Sequence, residues 1–80
     1  MTEIDKNDCA LLQKSKKNLS ATDLSHANLD GIDFSFGNFI STNFQESSLK
    51  NVDFSSAKLD SADFTKTNLN GANFNSAKLF

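Results

Sequence analysis

One cysteine, one histidine and no long apolar run: these scarcities in an 80-residue chain exclude several classes of protein before any pattern is sought. With Cys9 alone there is no internal disulfide framework, and without a Cys/His cluster there is no structural zinc site. No apolar stretch approaches the roughly 18 residues of a spanning helix. The start, MTEIDKNDCALL, lacks a basic segment followed by an apolar signal core, so the expected location is the cytoplasm. Net charge is small too. A formal net charge of -2, with lysines and acids interspersed, points neither to a nucleic-acid binder nor to a strongly acidic mimic. A single domain of this length buries too little surface to be robust unaided, so its stabiliser must be visible elsewhere in the sequence.

Internal repetition supplies it. Steps of five from Leu19 reach Leu24, Leu29, Phe34, Phe39, Phe44, Leu49, Phe54, Leu59, Phe64, Leu69, Phe74 and Leu79, so every centre on the ladder is Leu or Phe. Because these two types make up 17 of the 80 residues, chance would fill such a ladder about once in a billion trials. Two residues before each centre stands a small side chain, with Lys17, Ile32 and Val52 the exceptions. Directly before the centre stands Asn or Asp, with Ser48, Lys58 and Lys78 the exceptions.

A helix wants apolar residues every three or four positions and a flat strand every second, so a strict beat of five satisfies neither. The chain must turn once per repeat. If each pentapeptide makes one short side and one corner of a square, the small residue and the Leu or Phe point inward and the other three positions outward. Asn and Asp suit the site before the centre because their side chains bond nearby backbone groups and stabilise a turn.

Units such as Ala62-Asp63-Phe64-Thr65-Lys66, Ala72-Asn73-Phe74-Asn75-Ser76 and Ala27-Asn28-Leu29-Asp30-Gly31 resemble the A-[D/N]-[L/F]-X-X signature of the pentapeptide-repeat family, from about residue 17 onward. The resemblance implies an all-β solenoid: a right-handed, quadrilateral, parallel β-helix with four pentapeptides per coil, hence about three coils here. Sorting the centres by a period of twenty tests this from the residues themselves. Two of the four columns are uniform, Phe34, Phe54, Phe74 and Leu29, Leu49, Leu69, as stacking at a strand spacing of about 4.8 Å would favour.

Residues 1–18 read differently from the repeats of 19–80. A short capping α-helix over 3–15 is expected, with Thr2 or Asn7 as its N-cap, Ile4, Leu11 and Leu12 on one side, and Lys14, Lys16 and Lys17 near its C-terminal end. It would cover the open end of the first coil, as solenoid caps do.

Candidate chemistry is sparse. His26 sits at an outward position in one column with Glu46 and Lys66, where a solvated surface histidine is expected. Asp33 and Asp53 stack in the Asn/Asp column, yet two acids make a poor calcium site, so turn capping is the expected role. Cys9 reads as a small apolar packing residue. No constellation of nucleophile, base and stabiliser can be assembled, so no enzyme activity, cofactor or metal is expected. Opposite charges fall one coil apart at Asp30 and Lys50.

Two outward positions break the polar rule, Phe36 and Ile40, and the pattern closes on Leu79 and Phe80. These four form the candidate interaction surface. The expected function is a non-enzymatic scaffold or protein–protein interaction module, with a protein partner and a homodimer through the C-terminal coil, and with neither nucleic acid nor membrane as partner. The family also implies an alternative, a DNA-mimicking inhibitor or protector of DNA gyrase, of the fluoroquinolone-resistance type. Seven acids against four lysines in the repeats and a length of about 15 Å for three coils weigh against it.

Overall fold

The computed structural model describes residues 5–79. Thr2 and Ile4 of the expected helix and Phe80 of the candidate surface lie outside the described residues.

From residue 19 onward the backbone pairs with itself in parallel at a constant offset of twenty: Asp23 with Asn43 and Asn43 with Asp63, Asn28 with Ser48 and Ser48 with Asn68, Asp33 with Asp53 and Asp53 with Asn73, Asn38 with Lys58 and Lys58 with Lys78. Four pentapeptides therefore separate stacked residues. Each repeat contributes one bridged residue before it bends, which is why the stack consists of single bridges and not of long strands. The segments 19–38, 39–58 and 59–78 are called here the lower, middle and upper rungs.

Three backbone bonds per repeat tie the rungs together. The N–H of a centre donates to the carbonyl nineteen residues on, as Leu24 does to Asn43 at 2.8 Å. The corner residue two positions later does likewise, His26 to Gln45 at 2.9 Å, and the residue before the centre donates back, Asn43 to Thr22 at 3.0 Å. With its backbone so occupied, a wall meets other molecules chiefly through side chains.

Each corner is a four-residue turn that starts at a centre, such as Ile32 N–H to Leu29 C=O at 3.2 Å. Its third residue has positive φ at every fifth position from Ala21 to Ser76: 54° to 61° at ten side-chain-bearing residues, and 74° and 75° at Gly31 and Gly71. Positive φ at the third position is the type II requirement, normally met by Gly or Asn. Here it is mostly met by residues that find it uncomfortable. The Asn or Asp before the centre offsets this. Its Oδ1 accepts the N–H two residues on, as in Asp33 to Ser35 at 3.0 Å, Asn43 to Gln45 at 2.9 Å and Asn73 to Asn75 at 2.9 Å. Where Ser48 replaces it, Asp30 of the lower rung takes over and accepts both the Lys50 N–H at 3.0 Å and the Ser48 hydroxyl.

Inside, Leu24, Leu29, Phe34, Phe39, Phe44, Leu49 and Phe54 are wholly buried. Phe44 stacks on Phe64 with ring centroids 5.1 Å apart and planes 3° apart, and Phe54 on Phe74 at 5.3 Å and 14°. Phe34 meets Phe54 at 5.7 Å with a tilt of 39°. Gly37 occupies an inward position where a Cβ would overlap the Phe39 ring.

The N-terminal helix, α1, spans Cys9–Ser15 and runs into a 3-10 turn at Lys16–Asn18. It starts later than the expected 3–15, and Asn7 does not cap it. Asp8 does, its carboxylate accepting the Leu11 N–H at 3.0 Å. Asp5 accepts the N–H of Asn7 at 2.9 Å with its side chain and that of Asp8 at 3.0 Å with its carbonyl. Short acids that bond the local backbone in this way favour turns over helix interiors. Leu12 is fully buried, whereas Leu11 is exposed, so the two do not share a buried face. Cys9 is exposed as well, with its thiol 3.8 Å from the Asn28 carbonyl; it is a surface residue, not a packing one.

Contacts from this segment land on the edge of the lower rung. Gln13 Oε1 accepts the Asp33 N–H at 2.8 Å, the Lys16 carbonyl accepts the Asn38 N–H at 2.8 Å, and Lys6 Nζ donates to the Ser25 carbonyl at 2.6 Å.

Candidate interaction surface

Phe36, Asn38 and Ile40 lie on consecutive outward positions of one lower-to-middle wall. Phe36 is 76% exposed, at a corner with φ of 59°, and Ile40 is half-buried. Asn38 pairs in parallel with Lys58, and Lys58 with Lys78, so two lysines stack on the same wall directly above the gap between the apolar pair. Leu79, 58% exposed, follows Lys78 at the top of this side. Of the surface residues expected from sequence, the structure thus brings Phe36 and Ile40 together and leaves Leu79 at the far end. The lysines were missed as surface residues. Their signal lay in the Asn/Asp rule, since Lys58 and Lys78 are two of its three exceptions.

Acids are deployed mainly on the other walls, where they serve the turns. Hydrogen bonds from Ser25 hold the Asp23 carboxyl below its ordinary value, and those from Ser35 do the same for Asp33, with Lys16 adding to the effect at 3.3 Å. The Ser48 hydroxyl lowers Asp30, and Thr65 lowers Asp63. Asp53 accepts the Ser55 N–H at 2.9 Å. The stacked Asp33 and Asp53 thus each cap a turn through Oδ1. Among the described residues no group of three or more His, Cys, Asp or Glu side chains converges on one point. Nor, among the described residues, is any helix long and apolar enough to cross a membrane.

His26 lies 3.4 Å from Glu46, with both side chains open to solvent, and Asp30 lies 3.8 Å from Lys50. Asp30 with Lys50 is the cross-rung pair of opposite charge expected from the columns, and His26 faces Glu46 across the rungs in the same way. Asp60, two residues from Lys58 on the lysine wall, has a buried Oδ1 with no hydrogen-bond partner among the described residues.

The family model for pentapeptide repeats matches this chain in 8 copies, over residues 18–55 and 47–80. The chain belongs to the pentapeptide repeat family. Among solved pentapeptide repeat proteins it is similar to HetL from Nostoc sp. strain PCC 7120, described as involved in heterocyst differentiation regulation, with 32% identity and a TM-score of 0.57. That likeness covers 75% of this chain and 31% of HetL. It is also similar in fold to Rfr23 from the cyanobacterium Cyanothece 51142, with 21% identity, a TM-score of 0.58, and 76% of this chain against 46% of that one. The chain thus spans less than half the length of either pentapeptide repeat protein. Comparison with curated protein sequences gives no match.

Proposed function

We propose that this pentapeptide repeat chain is a non-enzymatic interaction module. In this reading it is a right-handed, four-sided β-helix of about three coils, closed at its N-terminal end by α1, whose stiff walls hold side chains out for a protein partner. The observation that carries the reading is Phe36. A large aromatic ring stands 76% exposed at a corner where the other repeats carry smaller or polar side chains, so burial does not account for it.

A photo-reactive residue in place of Phe36, compared with one in place of Asn51 on another corner, tests the module in the cells that make it. A defined protein adduct from position 36 and none from 51 is the expected result. Equal labelling, or none at either, would remove the basis for a partner-binding wall.

The C-terminal end supports a homodimer within the same reading. Phe64, Leu69 and Phe74 are only half-buried there and Leu79 is exposed. Among the described residues the N–H groups of these phenylalanines and of Leu69 have no backbone acceptor. A second copy packed end to end would cover the apolar edge, and twofold dimers are the commonest way to do so. Sedimentation at micromolar concentration should give a dimer that Leu79→Asp dissociates. A monomer at every concentration rules it out.

A further inference from the structure

We propose that the wall formed by Phe36, Asn38, Ile40, Lys58 and Lys78 binds an extended acidic segment of a partner protein, one whose carboxylates meet the two stacked lysines while an apolar side chain covers Phe36. The inference rests on reading the walls as an interaction platform and names the chemistry of what one of them takes.

Three observations converge on this wall. Lys58 and Lys78 are bridged in parallel, so their ammonium stems leave the backbone one strand spacing apart, about 4.8 Å. Like charges so placed repel. Lys16 and Lys50 each have an aspartate within 4.0 Å, whereas among the described residues neither Lys58 nor Lys78 has one. Even Asp60, two positions from Lys58, is not in ion-pair contact with it. The wall therefore carries two lysines and one carboxylate, Asp60, that pairs with neither of them, so a carboxylate from outside could relieve the lysines.

Phe36 and Ile40 flank Asn38, which stacks directly below Lys58, so an apolar strip runs alongside the charged one. Backbone bonds fix the spacing of both strips: Phe39 N–H to Lys58 C=O at 2.8 Å, Lys58 N–H to Gly37 C=O at 2.9 Å, and Leu59 N–H to Lys78 C=O at 2.8 Å. A partner finds these side chains already positioned, which lowers the ordering penalty of binding.

Charge selects among macromolecules. The chain as a whole is -2, and Asp23, Asp30, Asp33, Asp53 and Asp63 stand on the other walls. A nucleic acid or an anionic membrane presents a long array of negative charge that would meet those acids too. A short acidic segment sees only the wall it touches, because salt screens charges beyond about 8 to 10 Å.

The test uses the full chain, isotope-labelled, titrated with a synthetic peptide that alternates Glu with Leu and Phe, and with a matched peptide carrying Lys for Glu. The acidic peptide should move the amide signals of residues 36–40, 58 and 78, and its affinity should fall with added salt. The Lys58→Glu, Lys78→Glu double variant and Phe36→Asn should each weaken it at least tenfold. Phe36→Asn should do so with an unchanged or raised thermal midpoint, since Asn tolerates positive φ better than Phe. Signals that move on another wall, equal binding of the basic peptide, no binding of either peptide, or tighter binding of an oligothymidine or of anionic vesicles would each overturn the proposal. If the adduct at position 36 survives such a result, only the partner's chemistry is wrong. If the adduct is absent too, the platform itself fails.

Discussion

The lower and upper rungs are built from the same five-residue unit, yet they stand in different environments. In the lower rung Leu19, Leu24, Leu29 and Phe34 are buried beneath the next rung, and Leu12 of α1 joins the same core. In the upper rung Phe64, Leu69 and Phe74 carry the same residue types at the same phase and are only half-buried. The repeat therefore sets direction, while neighbours on both sides set burial. That is the behaviour of a quasi-one-dimensional stack, in which each unit is stabilised by the units it touches.

Cutting the same ring from each region gives the largest expected effect. Phe54 lies between Phe34 and Phe74 and is wholly buried. Phe54→Ala should destabilise by about 3 to 5 kcal/mol, in the range of large-to-small core changes. Phe74→Ala removes a ring that water already reaches, and should destabilise by about 1 to 2 kcal/mol, roughly half the value of a fully buried side chain. Chemical denaturation of both variants measures the gap. Similar losses would mean that the upper rung is covered in solution, as the end-to-end dimer requires, and repeating the measurement on Leu79→Asp would separate the two explanations.

Hydroxyl groups give the next contrast. The Ser47 hydroxyl is buried, donates to the Leu24 carbonyl at 2.6 Å and accepts the Ala27 N–H at 3.0 Å, so it completes a lower-rung turn from the rung above. Thr42 donates to the Leu19 carbonyl at 2.6 Å in the same manner. Thr67, one rung higher, bonds only the Phe64 carbonyl of its own turn at 2.8 Å, which the Thr67 N–H also reaches at 3.2 Å. Ser47→Ala strands two buried backbone groups and should lose about 1 to 3 kcal/mol, whereas Thr67→Ala should lose under about 1. A reversal of that order in thermal melts would show that the hydroxyls do not bridge the rungs.

Legibility followed the same division between what a residue does alone and what its neighbours do to it. The ladder from Leu19 to Leu79 and its twenty-residue columns could be read from spacing alone, because an inward position admits few residue types. The pairs Asp30 with Lys50 and His26 with Glu46 followed from the columns. Not readable were the corners. Ala21, His26, Phe36 and Lys66 all take positive φ without being Gly or Asn, because the rung bonds and the Asx side chains impose what propensity opposes. The late start of α1 was hidden because Asp5, Asn7 and Asp8 are all plausible helix-start residues, and which backbone N–H each one bonds is decided in three dimensions. Lys58 and Lys78 were visible as exceptions to a rule, but their stacking on the Phe36 wall emerges only when the two observations are placed on the same face.

Acidity should affect the lower rung more than the upper, because more of its turns rest on such carboxylates. Asp23, Asp30 and Asp33 serve lower-rung turns or the bond to the middle rung, and hydrogen bonds hold each below the ordinary aspartate value of about 4. A carboxylate whose value is depressed by folding stabilises the native state above its unfolded value, and that contribution is lost as pH falls through the lower folded value. The midpoint should therefore stay level from neutral pH down to about pH 4 and decline below it. Asp63 alone shows the same depression in the upper rung. Amide exchange at low pH should quicken around Ser25 and Ser35 at least as much as around Thr65. A decline that starts well above pH 4 would mean that these carboxylates do not govern the acid response.

The smallest effect is expected from the ion pairs, and it separates charge from hydrogen bonding at one residue. Asp30 lies 3.8 Å from Lys50 Nζ, yet its Oδ1 also accepts the Lys50 N–H and the Ser48 hydroxyl where an Asn or Asp is missing. Exposed ion pairs contribute little and are screened by salt, so raising the salt from 0.05 to 1 M, values of about that size, should move the midpoint by no more than a few degrees. Lys50→Ala should behave like added salt. Asp30→Asn, which keeps an acceptor oxygen but drops the charge, should also stay close to the parent. Asp30→Ala removes the acceptor that joins the lower rung to the middle one, and should lower the midpoint more than either. If Asp30→Asn is as damaging as Asp30→Ala, then charge and not the missing turn cap holds this corner, and the rungs are joined there by electrostatics after all.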